Sequence, residues 1–513
     1  MSVSLDCSSR AIVVLLCFSL CLVAKAASVT STGDGPTLYE SGPIKHVVVL
    51  MYENRAFDHM LGYLHQVNSE IDGLTGQEYN YLDPYNPSEE NKITVNFNAP
   101  YVDPDLGHSV HATATQIQYG STPMNVSAAP MNGFAAQAAQ NNPDWGPQAL
   151  SGFNSSSLGA LSTLALEFAV CDKYHASVPG PTEVNRMYVH TATSDGAGSN
   201  DDDHLILGYD QTTIYDNLNT AGIEWGAFYS DVPSPLVLRH MRRRENLARI
   251  HQMHKFKEMC EAGTLPAYSF LDPAYFSIPD VQRASDQHPS HDVVDGEKLL
   301  KRTYEALRHS PLWNSSVLVI NYDEHGGFYD HLPTPLQVPN PDGKNSTDPP
   351  FDFTRIGVRV PAVLISPWIE KGTVLHRPDG PTNTSEYEHS SVPATLKKLF
   401  GLPDFLTARD AWAGTFETLW QQRSSPRTDC PLSIPVADRP SPVFAHLSEE
   451  QFSAAPMSEL QREFVVVAHA LAEGEHLPFP PELEGLSEAD AGRYVVAAIR
   501  KYFAAAQLPR EDQ

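Results

Sequence analysis

Cationic residues are scarce in this 513-residue chain: 35 Lys and Arg stand against 62 Asp and Glu, a formal charge of −27. That deficit excludes a general nucleic-acid binder, which needs a basic surface to neutralise phosphates. It also weakens any hold on anionic lipid through bulk charge. Cysteine is scarce too: Cys7, Cys17 and Cys21 lie in the first 26 residues, which leaves Cys171, Cys260 and Cys430. At most one intramolecular disulfide can form among those, so the chain is not a disulfide scaffold and must rely on a packed core. Past the N-terminus no run approaches about 18 consecutive apolar residues, so a soluble mature protein is expected. Internal repeats, a Gly-x-Ser-x-Gly elbow and a His-Glu-x-x-His motif are missing as well. The Gly-rich piece Gly196-Ala197-Gly198-Ser199 fits neither a phosphate loop nor a dinucleotide fingerprint.

What is present begins with a globular composition, 41% hydrophobic and 19% charged, and with loop-forming Pro and a generous supply of His. Arg10, the apolar run Ala11 to Val23 and the small residues of Ala24-Lys25-Ala26 have the layout of a secretory signal peptide, residues 1–26. An uncleaved N-terminal anchor is the alternative. Cleavage would make the chain one charge unit more negative, since Asp6, Arg10 and Lys25 leave with it. A secreted or endomembrane location follows. Sequons at Asn125, Asn154, Asn314, Asn345 and Asn383 then become candidates for glycosylation and hence for exposure.

Residues 27–43 are polar and read as an N-terminal tail; 44–425 alternate apolar runs with helical patterns; 426–442 form a Pro/Ser-rich linker; 443–513 form a small helical appendage. The runs Ile44–Met51, Val317–Tyr322 and Pro361–Ile365 are nearly continuous and β-branched, as in strands buried on both faces of a parallel sheet. Glu297–Arg308 carries Leu299, Leu300, Tyr304 and Leu307 on one helical face. Alternation of such strands and helices predicts an α/β fold with a mostly parallel central sheet. In the tail, Ser448-x-x-Gln451, Ser458-x-x-Gln461 and Ser487-x-x-Asp490 mark helix starts, with helices over 460–471 and 493–503.

The first strand runs into Glu53-Asn54 and the second into Asp323-Glu324. Ligands of open parallel sheets bind beyond the carboxyl ends of the strands. Three carboxylates and an amide gathered there are costly unless a cation neutralises them, and their oxygens suit a hard divalent metal. Acidic residues at strand ends are also ordinary loop features; two such dipeptides on two strongly apolar strands point to a site. Thr182, after the Pro179-Gly180-Pro181 turn, either caps the following helix or serves as a nucleophile at its positive end. Asp105–His111 and Asp286–Asp292 hold loop-borne histidines, structural or acid-base in role.

Four segments together resemble one family. Glu53-Asn54-Arg55-Ala56-Phe57-Asp58, Thr182-Glu183-Val184-Asn185-Arg186, Asp323 to His331, and Gly357-Val358-Arg359-Val360-Pro361 through Pro367 match, in order, motifs of the phosphoesterase family. The likeness is to its plant-type non-specific phospholipases C, related to bacterial phosphatidylcholine-hydrolysing phospholipases C and acid phosphatases. It implies an alkaline-phosphatase-like three-layer fold, one divalent metal on Glu53, Asn54, Asp323 and Glu324, and Thr182 as nucleophile. It also implies His108, His291 and His331 as active-site histidines, with Asn185, Arg186 and Asp330 as candidate substrate contacts. Ala56 stands where the family has a hydroxyl residue, and Val184 where it has Pro, which restores an N–H to the turn after Thr182.

The implied chemistry is a double displacement through a phosphothreonine that releases diacylglycerol and a phosphorylated head group. A secreted acid phosphatase on soluble phosphomonoesters, or an inactive glycoprotein binding phosphorylated ligands, are the alternatives. The basic run Arg239 to Arg244, with Lys255 and Lys257, is either a solvated face or a transient contact for a membrane surface. The sequence does not specify an oligomeric state.

Overall fold

The computed structural model describes residues 37–119, 129–437, 455–474 and 480–506. The leader, most of the N-terminal tail, the Asn125 sequon and the helix start at Ser448 lie outside the described residues. Eight strands form the central sheet: β1 (His46–Tyr52), β2 (Ala169–Cys171), β3 (Trp225–Tyr229), β4 (Ile250–Gln252), β5 (Tyr268–Asp272), β6 (Ser316–Tyr322), β7 (Ala362–Ile365) and β8 (Thr373–Leu375). Their order is β8-β2-β7-β6-β1-β5-β3-β4. β1 lies parallel to β5 and β6, while β7 opposes both β6 and β2. The sheet is thus mostly parallel, as expected, with one correction. The run 361–365 is an antiparallel strand, because a fully apolar run reports burial on two faces and not direction.

The apolar β1 and β6 sit at the centre because their side chains are buried on both faces: from Val47 to Tyr52 and from Ser316 to Tyr322 every residue is buried. Register pairs Tyr52 with Tyr322, so both strands end level and deliver Glu53-Asn54 and Asp323-Glu324 to one edge. Around the sheet lie α1 (Phe57–Leu61), α2 (Val110–Ile117), α3 (Gly159–Glu167), α4 (Thr182–Thr191), α5 (Val293–Arg308) and α6 (Ser391–Phe400). The amphipathic face foreseen on α5 is buried, including Leu299, Leu300, Tyr304 and Leu307.

The C-terminal region forms α7 (Glu459–Glu473) and α8 (Glu488–Ala505). Ser458 and Gln461 make the reciprocal capping box, and Ser487 accepts from the amide of Asp490. Phe464, Val465 and Val467 join the same apolar core as β1 and β6. No helix among the described residues is long and apolar enough to cross a membrane. Cys171, Cys260 and Cys430 are buried free thiols.

Candidate active site

The two strand-end loops touch each other. The Asn54 and Glu324 amides donate to Asp323 Oδ1 at 2.9 and 2.7 Å, and the Arg55 amide to the Glu324 carbonyl at 2.9 Å. Asn54 takes the left-handed conformation, φ 50°, which Asn tolerates better than most residues. Gly326, φ 63°, is required here, since a Cβ would sit 2.1 Å from the Asn54 carbonyl oxygen. Gly326→Ala is therefore expected to push the two loops apart and lower kcat/KM by about a hundredfold. Steady-state assay of a folded variant checks this, and near-normal activity would count against a rigid contact between the loops.

Thr182 opens α4 directly after Pro181, and its hydroxyl does not cap the helix. Its hydrogen bond goes instead to Asn54 Oδ1, at 3.5 Å. The hydroxyl thus faces the strand-end edge, at the positive end of a ten-residue helix. Asn185 fixes the loop that delivers it: the side chain accepts from the Val178 amide and donates to the carbonyls of Val178, Gly180 and Pro181. Asn185 is buried and spent on this backbone, so it positions Thr182 rather than reaching outward.

Arg186, one turn along α4, is also buried, and it bonds Glu53, Asp323 Oδ2 at 3.1 Å and, more loosely, Asp272 Oδ1 at 3.8 Å. It acts as an internal counter-ion to these carboxylates. Asp323 has one oxygen on two amides and the other on Arg186. The oxygens left without a partner are Glu53 Oε2 and Glu324 Oε1, both fully buried. Burial pushes the Glu53 carboxyl well above its usual range, with Asp323 adding to the shift against Arg186. These two oxygens, left without a hydrogen-bonding partner, and Asn54 Oδ1 are hard donors, so the residues fit a divalent cation. Asp323 then serves as the organiser of the ligands.

His108 is buried, and its Nδ1 bonds the Leu106 carbonyl at 2.7 Å. Burial opposes its protonation, yet the carboxylates of Glu324 and Asp105 raise it to about 9. His291 is held differently: Nδ1 meets Asp286 Oδ1 at 2.7 Å, while Nε2 lies 3.2 Å from Glu488 Oε1 on α8 and 3.3 Å from Gln461 on α7. The Asp286 carbonyl accepts the Glu53 amide at 3.0 Å, which ties this histidine loop to the site.

His331 belongs to a second cluster. Among the described residues, Asp58, Asp330 and His331 bring ligand atoms within 4.8 Å of one another. Arg359 already provides the cation there, 3.0 Å from Asp58 and 2.9 Å from Asp330. Asp330 is thereby held in an ion-pair network with Arg359. Burial opposes the charge on His331, but Asp58 and Asp72 raise it to about 10. A pKa raised above the unfolded value of about 6.5 stabilises fully below that pH and is lost as pH climbs through about 10. The melting temperature should therefore fall by several degrees between pH 7 and 10, and less so in His331→Gln. Equal falls in both proteins would contradict the assignment.

Sequence reasoning missed Arg359 as the holder of Asp58 and Asp330, although both sides of the network stood in quoted motifs. It missed His389, whose Nε2 meets the Asp323 carbonyl at 2.6 Å, because nothing in its surroundings marks it. Of the sequon asparagines described, Asn314, Asn345 and Asn383 are exposed, while Asn154 is half-buried and donates to the Phe97 carbonyl at 2.7 Å.

A model described as "Phosphoesterase family" matches residues 44–403. Non-specific phospholipase C1 of Arabidopsis thaliana is 44% identical over 509 residues, covering 97% of this chain and 92% of its own. Phospholipase C A of Mycobacterium tuberculosis is 25% identical over 449 residues, covering 79% and 82%. A protein in the alkaline phosphatase superfamily from Vibrio parahaemolyticus, a solved structure, aligns over 75% of this chain and 76% of its own at 12% identity and a TM-score of 0.33.

Proposed function

This chain belongs to the Phosphoesterase family, among the non-specific phospholipases C, and we propose that it hydrolyses glycerophospholipids to diacylglycerol and a phosphorylated head group with Thr182 as nucleophile. The observation that carries the reading is the Thr182 hydroxyl, turned away from helix capping and towards Asn54 at the strand-end edge. A divalent cation held by Glu53, Asn54 and Glu324 would stabilise negative charge developing on the oxygens of the reacting phosphate.

Thr182 Oγ gives up its proton to solvent and forms the new bond to phosphorus while the bond to the diacylglycerol oxygen breaks. The α4 N-terminus lowers the cost of negative charge at Oγ and on the phosphate. His108, protonated at neutral pH, gives its proton to the leaving oxygen. His291 is less suited to that step, because Glu488 and Gln461 occupy its outer nitrogen. Thr182 is left carrying the head-group phosphate; for a phosphomonoester the same step yields a plain phosphothreonine. Water then cleaves the ester: one of its protons goes to His108, its oxygen stays on the phosphate, and the released Thr182 Oγ takes a proton back from solvent.

Comparing phosphatidylcholine with p-nitrophenyl phosphate tests the substrate class. Release of diacylglycerol at a kcat/KM well above that for the monoester supports the reading, and the reverse order supports an acid phosphatase. The region 44–425 carries this chemistry, joined through 426–442 to the helices of 443–513. The leader supports secretion and the exposed sequons support glycosylation. An N-terminus at Ala27 and glycans on Asn314, Asn345 or Asn383 in protein from the medium are the expected findings.

A further inference from the structure

The loop that carries His108 is wedged between the other two loops of the site. His108 lies one residue before Ser109, whose side chain caps α2 by accepting from the Ala112 amide at 3.2 Å. Val110 packs on the nucleophile turn, where a Cβ added to Gly180 would stand 3.1 Å from Val110 Cγ2. On the other side Gly327, φ 75°, has no room for a side chain. A Cβ there would stand 2.6 Å from Leu106 Cβ and 2.8 Å from the Gly107 carbonyl oxygen. His108 Nδ1 is committed to the Leu106 carbonyl at 2.7 Å, so Nε2 is the nitrogen left to hand a proton to the leaving oxygen.

A polar bridge fastens this loop to the Asp323–His331 loop as well. Gln116, near the end of α2, is fully buried, and its Nε2 donates to the Gly107 carbonyl at 2.6 Å and to Gln137 Oε1 at 3.0 Å. A carbonyl can only accept, so the nitrogen of the Gln116 amide must face Gly107. Its Oε1 is then the acceptor for His325 Nε2 at 2.8 Å. His325 is itself buried and follows Glu324 directly. Gln137 closes over the same spot, since a Cβ on Gly107 would stand 2.7 Å from its Nε2. Gln116 thus grips the residue before His108 with one end of its amide and the residue after Glu324 with the other.

We infer that Gln116 is a positioning residue for proton transfer to the leaving group: by bonding Gly107 and His325 at once, it aims His108 Nε2 at the diacylglycerol oxygen. The inference rests on His108 as the acid of the phospholipase C reading and adds the residue that holds it in line. Without the bridge the Gly107 carbonyl loses its buried donor, and the loop is free to shift His108 by a fraction of its reach. A misplacement of about 1 Å costs on the order of a hundredfold in rate.

Two substrates with the same head group separate aim from folding in the full chain. Phosphatidylcholine expels the alkoxide of diacylglycerol, which needs the proton; p-nitrophenyl phosphorylcholine expels a phenolate that is stable without one. Gln116→Met keeps the length of the side chain and removes both hydrogen-bonding ends. It is expected to lower kcat about 30- to 100-fold on phosphatidylcholine but about threefold or less on the nitrophenyl ester, with KM changed about twofold at most. Gln116→Asn, too short to span Gly107 and His325 together, should lose about tenfold on phosphatidylcholine alone, and it supplies the reading if the Met variant does not fold. His108→Ala should show the same selective loss more strongly. If it does, while the Gln116 variants slow both substrates equally or neither, His108 stands as the acid and the inference is overturned. If His108→Ala itself slows both substrates equally, the acid assignment falls and the inference falls with it.

Discussion

Thr182→Ala should fold normally and hydrolyse phospholipid about 10^3- to 10^6-fold more slowly than wild type, the range seen when a nucleophile is removed. The two halves of that expectation separate chemistry from folding. Thr182 is buried, but its hydroxyl makes a single long bond to Asn54, and the cap of α4 is the backbone at Pro181. Deleting the hydroxyl therefore costs about 1 kcal/mol of stability at most. Thr182→Ser keeps the oxygen and should retain activity within roughly a hundredfold, because the extra rotamer freedom of Ser loosens its aim. A rate for Thr182→Ala within a few-fold of wild type would remove Thr182 from the mechanism.

The second large effect concerns Arg186. Its buried guanidinium faces Glu53, Asp323 and Asp272, and its charged carbon sits 5.4 Å from the centre of the Tyr275 ring. Arg186→Leu leaves three buried carboxylates without their counter-ion, a loss of about 3–5 kcal/mol. Folded proteins hold only about 5–15 kcal/mol in total, so the midpoint of thermal or chemical unfolding should drop steeply. Arg186→Lys should not rescue it, since an ammonium cannot fork between Glu53 and Asp323. Removing charge on both sides, with Glu53→Gln and Asp323→Asn added to Arg186→Leu, should recover part of the stability though not activity. An Arg186→Leu protein that melts within a degree or two of wild type would show that the cluster is not held as described.

The central strands and their level ends were readable in the sequence because β1 and β6 are uninterrupted apolar runs followed at once by acidic dipeptides. The helix faces were readable from the spacing of Leu299, Leu300, Tyr304 and Leu307. The direction of β7 was not, since Ala362–Ile365 is buried on both faces either way. Within the site, residue types identified which side chains matter but not what they touch. Arg186 reads as a candidate substrate contact, and only the fold reveals Glu53, Asp323 and Asp272 around it. Asn185 reads the same way until its amide is found binding the 178–181 loop. Asp330 is absorbed by Arg359, from a motif 29 residues away.

The most direct test is mass spectrometry of the Thr182 peptide after the protein is mixed briefly with phosphatidylcholine and quenched in acid. The predicted result is Thr182 carrying phosphocholine in wild type and no adduct in Thr182→Ala. Steady diacylglycerol release, with an unmodified Thr182 at every quench time or an adduct on another residue, would contradict it.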